Sequence, residues 1–93
     1  MVRVKNPDEW TLLKFVLGSG DKKYVAILKN RKDGRLMKVP FGSKSFSQYH
    51  DKIGHYKELD HKDPVRRNSY LKRHANDKDY KFSSGWFSAN YLW

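Results

Sequence analysis

Cysteine is absent from this 93-residue chain, which removes disulfides and thiolate metal sites at once. The lack fits a reducing compartment. No apolar stretch approaches the length of a membrane span or of a signal-peptide core, so a soluble protein is expected, with any export needing another route. Acidic residues are scarce beside basic ones, 10 against 20, giving a formal net charge of +10 and a sequence pI near 9.9. Catalytic signatures are missing too: there is no glycine-rich phosphate loop, no nucleophile elbow and no sign of paired buried carboxylates. The expectation is a protein without enzymatic activity, cofactor or resident metal. No internal repeat, low-complexity tract or interdomain linker interrupts the chain.

What is present is a single domain's length with a small core, since short chains leave much of their surface wet. Aromatic residues make up 15% of it and partly compensate, each buried ring removing a large apolar area from water. Glu9 to Leu17 is β-rich, with Leu13, Phe15 and Leu17 on one side. Gly18-Ser19-Gly20-Asp21 signals a turn. Tyr24 to Lys29 sets Val25 and Ile27 on one face and Tyr24, Ala26 and Leu28 on the other. Lys32-Asp33-Gly34 signals a hairpin turn. Arg35 to Phe41 alternates again, with Met37, Val39 and Phe41 together and Pro40 marking an edge strand or its exit. Ser45 to Ile53 is expected to form a short helix on Phe46, Tyr49 and Ile53, ended by Gly54. Asn76 to Phe82 is expected to be loop. The fold class is therefore α+β: a three-stranded antiparallel sheet followed by two or three short helices covering one face.

The stretch His61 to His74 carries the strongest functional signal. Asp63 can cap a helix, and Pro64 suits its first position, where a missing N–H costs nothing. Over about three turns, Arg66, Arg67, Tyr70, Arg73 and His74 fall within roughly a third of the circumference. Arginine forks bind phosphate bidentately, which lysine cannot do. Tyr70 and His74, four residues apart, can instead pack inward and leave Arg66 and Arg73 facing a ligand. The plain alternative is a solvated charged face. Charge is uneven along the chain: residues 1–42 hold 10 basic and 4 acidic residues, 43–60 hold 3 and 3, and 61–93 hold 7 and 3.

Lys22-Lys23 at one turn and Arg31, Lys32 and Arg35 at the next add cationic tips. Should both lie on the helix side of the sheet, they would merge with Lys62, Arg66, Arg67, Lys72, Arg73 and His74 into one nucleic-acid-binding surface. The excess charge suits a polyanion, and phosphate contacts position a protein without reading sequence. The terminal Ser83 to Trp93 segment is the least polar part. Ser83 or Ser84 would cap a helix there, with Trp86, Ala89, Asn90 and Trp93 on one face. Its aromatics serve as core, as a dimer interface through Trp86, Tyr91, Leu92 and Trp93, or as stacking platforms for unpaired bases.

Phe41-Gly42, then His61-Lys62-Asp63 leading into Arg66-Arg67, Tyr70 and Arg73-His74, then a Gly85-containing segment ending in Ser88, Leu92 and Trp93, form an ordered set. Over roughly residues 24–93 this resembles a family of small basic proteins of giant nucleocytoplasmic large DNA viruses, Marseillevirus-like in type. The resemblance implies a virion-packaged, double-stranded-DNA-binding protein that forms a homodimer and resides in the virion, the viral factory of the host cytoplasm or the host nucleus. Sequence-independent binding of double-stranded DNA is the function expected, with no membrane and no small-molecule substrate. Two alternatives differ in class. Asp60-His61-Lys62-Asp63 with Asn68 and His74 superficially resembles His-Asn-His nucleases, in which a histidine such as His61 activates water beside one metal. The other is a structural virion protein whose basic face binds acidic protein. The four histidines, His50, His55, His61 and His74, lie near Asp51, Asp60 and Asp63, but match no tight metal-ligand spacing.

Overall fold

The chain reverses at Lys32-Asp33-Gly34 as its residues demand. Gly34 takes φ 75°, and the side-chain oxygen of Asn30 accepts hydrogen bonds from the amides of Lys32 and Asp33 at 2.9 and 3.2 Å. The computed structural model, which describes residues 4–76 and 79–93, builds on this turn and the one before it. Strands β1 (Trp10–Leu17), β2 (Lys22–Asn30) and β3 (Leu36–Ser43) pair antiparallel in the order β1-β2-β3. Helices α1 (Pro64–Arg73) and α2 (Ser84–Tyr91) follow, and single 3-10 turns lie at Pro7–Glu9 and Lys57–Leu59. The fold is α+β.

Alternation held in β2 and β3 and slipped in β1. Tyr24, Ala26 and Leu28 are buried, as are Val39 and Phe41 on the neighbouring strand. In β1 the register shifts between Leu12 and Lys14. This bulge turns Leu13 out to solvent at 51% exposure, and Leu12 takes the place expected of Leu13, opposite Leu28. A bulge inserts one residue into a strand of period two, so every side chain before it changes face. Leu17 is also exposed, lying at the strand's end.

Packed on this face, α2 contacts β3. Ser83 caps it by accepting from the Trp86 amide at 3.0 Å. Its inward residues are Gly85, Phe87 and Ser88, with Leu92 just beyond; the expected face of Trp86, Ala89, Asn90 and Trp93 is rotated away. Phe87 is fully buried, stacks on Phe41 at 5.3 Å and meets Phe15 edge-on at 5.9 Å. Gly42, at φ 76°, leaves room for this arrangement: a Cβ there would lie 2.9 Å from Leu92 Cδ1 and 3.2 Å from Lys23 Cβ. Of 76–82, the described residues form turns, and 77 and 78 lie outside the described residues.

No helix forms over Ser45 to Ile53. Asp51, fully buried, organises the segment as a loop instead. Its carboxylate accepts from the amides of Ile53, Gly54 and Tyr56 and from the Tyr24 hydroxyl, at 2.6–3.0 Å. Burial pushes the Asp51 carboxyl up, but these four donors outweigh it and hold it below the usual carboxylate range. The same contact, together with burial, pushes the Tyr24 phenol well above its ordinary value.

Candidate functional site

Asp63 caps α1 as its sequence implies, accepting from the amides of Val65 and Arg66, and Pro64 occupies the first position. None of the ten residues of α1 is buried. The helix stands off from the sheet and is tied to the body at discrete points. Tyr70 stacks on Trp93, with centroids 4.1 Å apart, and on His74 at 4.3 Å. Arg67 Nε donates to the Trp93 carbonyl at 3.0 Å, and its guanidinium lies 5.5 Å from the Tyr49 ring centre. Arg66 Nη2 donates to Ser47 Oγ at 3.2 Å.

Between α1, the end of β3 and α2 this leaves a cleft of about 1030 Å³. Arg66, Ser69, Tyr70, Arg73 and His74 line one wall; Ser84, Gly85 and Ser88 of α2 line another; Phe41, Leu92 and Trp93 contribute apolar surface. Lys22, the first residue of β2, lines it too. Among the described residues no aspartate or glutamate does. A concave surface with cations, hydroxyls and rings but no acid is suited to anions carrying an apolar body.

The expected binding residues divide accordingly. Lys22, Arg66, Arg73 and His74 come together in the cleft. Lys62, at φ 55°, and Lys72 are exposed beside it on the chain. Arg67 is half-buried and serves as the latch to Trp93. Lys23 borders the cleft but is withdrawn as a contact residue: it is 1% exposed, and its ammonium donates to the Phe46 carbonyl at 2.8 Å and to Gln48 Oε1. Burial pushes Lys23 below the ordinary lysine value, against the pull of Asp51, Asp60 and Glu58. Arg31, Lys32 and Arg35 do not join the cleft, because successive turns of a meander lie at opposite ends of the sheet. Lys22 and Asn30 are roughly 26 Å apart along β2 at ~3.3 Å per residue. Lys32 also pairs with Glu9 at 3.0 Å and Arg35 with Asp33 at 2.7 Å.

The four residues expected at a dimer interface all make contacts within the monomer, and Trp86, Tyr91 and Trp93 remain half-buried. Leu92 is 1% exposed and is withdrawn from the interface. Trp86 meets Phe82 edge-on at 5.4 Å, Tyr91 meets Phe15 at 4.8 Å, and Trp93 anchors α1. The reason is economy of core: in so short a chain the aromatics of α2 and its end are used to close the sheet's covered face, together with Val4, Ile53, Tyr56 and Phe82.

His61 is poorly placed to activate water. Its Nδ1 accepts from the Asp63 amide at 2.9 Å, and its Nε2 is buried without a hydrogen-bond partner among the described residues. Burial first, and the Arg66 charge second, hold it below the usual imidazole range. Among the described residues no three His, Asp or Glu side chains gather as a metal site.

No protein-family model matches this chain, and neither a curated protein nor a solved structure matches it. Sequence inspection overlooked the serine lining and Phe46, which is 71% exposed at the cleft. It also overlooked the reverse face of the sheet, where Lys14 and Lys38 flank Ile27 in register. Strand alternation alone could have placed those lysines; the serines become visible only once α2 is set beside α1.

Proposed function

We propose that this protein binds double-stranded DNA without reading its sequence, through a surface centred on Arg66, Arg73 and Lys22. The observation that carries this is the convergence of α1 and the start of β2 on one cleft that no acidic side chain lines among the described residues, in a chain of net charge +10. Arg66 and Arg73 reach one strand's phosphates, while Lys22, Lys62 and Lys72 extend the contact along it. Asn and Gln side chains poised for base edges are lacking on the cleft wall of α1, so contacts to phosphate position the protein and do not specify a site. A two-fold pair would set two such surfaces along one duplex and raise affinity by avidity. The virion and viral-factory setting is proposed on the motif order alone.

A salt titration of duplex binding tests the proposal. Log affinity should fall linearly with log salt, by about 0.9 for each phosphate neutralised, and unrelated duplexes should compete equally. The double variant R66Q/R73Q keeps helix propensity and should bind more weakly with a shallower salt slope. A footprint on one sequence with salt-insensitive binding would overturn it.

A further inference from the structure

A duplex is stiff and keeps its bases turned inward, so it can lay only its backbone along the rim of the cleft; an unpaired strand is flexible and can turn a base toward an exposed ring.

Phe46 stands where such a strand would meet the protein. Its ring is 71% exposed, has no aromatic neighbour within stacking range among the described residues, and lines the same cleft as Arg66, Arg73 and Lys22. Its backbone, in contrast, is held firmly. The Phe46 amide donates to the Ser43 carbonyl at 3.2 Å, and the Phe46 carbonyl accepts from the buried Lys23 ammonium at 2.8 Å. Lys23 also holds Gln48, which donates to Asp60 Oδ1 at 2.6 Å. A charged lysine is costly to bury, and here its hydrogen bonds fix the loop that exposes one aromatic ring. Ser88, 8% exposed, lines the cleft as well.

We infer that the cleft is a site for an unpaired nucleotide strand, with a base stacked on Phe46 and its phosphates held by Arg66 and Arg73. The inference rests on the nucleic-acid reading above and sharpens it: duplexes with single-stranded ends or gaps are preferred over blunt ones. Stacking tolerates any base, because every base has a π-face, so the preference is for structure and not for sequence. A ring fixed in advance loses little freedom on binding.

Fluorescence anisotropy on three labelled probes decides the matter: a blunt duplex, the same duplex with a single-stranded overhang, and the single strand. The overhang should bind at least about fivefold tighter than the blunt form. Phe46→Leu should remove that advantage and leave blunt-duplex affinity unchanged; Phe46→Trp should restore it. Equal affinity for overhang and blunt duplex overturns the inference and leaves the duplex proposal standing. Binding of the single strand and overhang without the blunt duplex supports the inference and overturns the duplex proposal. A Phe46→Leu effect confined to the molecular mass in solution would make Phe46 a protein-contact residue, and absence of binding to all three probes overturns both.

Discussion

The Trp93 indole lies flat on the Tyr70 ring, with centroids 4.1 Å apart and planes 2° from parallel. This stack joins the end of α2 to the middle of α1, and with the Arg67–Trp93 hydrogen bond it sets the width of the cleft. Stacked aromatic pairs contribute about 0.5–1.5 kcal/mol beyond their buried area. In a double-mutant cycle of Tyr70→Leu and Trp93→Leu, urea unfolding should give a coupling of about 1 kcal/mol. Either single change should also weaken DNA binding, since Arg66 and Arg73 lose their bearing.

Acid should destabilise the protein in two stages. His61 has a folded pKa below its ordinary value, so the folded state binds fewer protons, and its contribution is present above about pH 6.5 and lost as pH falls. Asp51 is likewise depressed; its contribution is present above about pH 3.9 and lost below. Denaturant midpoints measured against pH should show both declines. His61→Phe should abolish the first and leave the second.

Alkali acts through Tyr24. Its raised pKa means that the unfolded chain ionises first, so stability is full below about pH 10 and falls above it. Tyr24→Phe should flatten that limb, while lowering stability at neutral pH by about 1–3 kcal/mol because Asp51 and the His55 amide each lose a partner.

Removing the cap of α1 should be mild and local. Asp63→Ala frees the amides of Val65 and Arg66 and should cost about 1 kcal/mol. Hydrogen exchange should show the loss confined to the first turn of α1, with the sheet amides unchanged.

Gly42→Ala should be costlier. The added methyl meets Leu92 Cδ1 at 2.9 Å on a backbone of φ 76°, and the conformational cost alone is about 1–2 kcal/mol. Thermal melting should show a clear drop. A variant as stable as the parent would mean both that Leu92 moves aside and that the backbone at 42 leaves the left-handed region.

What could be read from the chain was whatever its neighbours decide locally. Asp63-Pro64 announces a helix start, Asp33-Gly34 a turn, and Tyr24-Ala26-Leu28 a buried strand face, each from residues within a few positions. The bulge at Leu13 was hidden because alternation cannot reveal its own interruption. Phe46, Tyr49 and Ile53 mimic helical spacing, yet the Asp51 carboxylate captures the amides two, three and five residues on and binds the segment as a loop. Lys23 looked like a tip lysine because its partners, Phe46 and Gln48, lie more than twenty residues away. The cleft was only half legible: α1 and its arginines were evident, but the wall facing them depends on Trp93 stacking across the fold.

The bulge in β1 has a second consequence, for molecules in a crowd. A three-stranded sheet offers two free edges, and flat edges invite strand-to-strand polymerisation. Here one edge is kinked at Leu13, and the other contains Pro40, which has no N–H to offer a neighbour. A basic protein concentrated along a polyanion would meet its own copies at close range. With both edges blunted, such copies can lie side by side without fusing their sheets into a fibril.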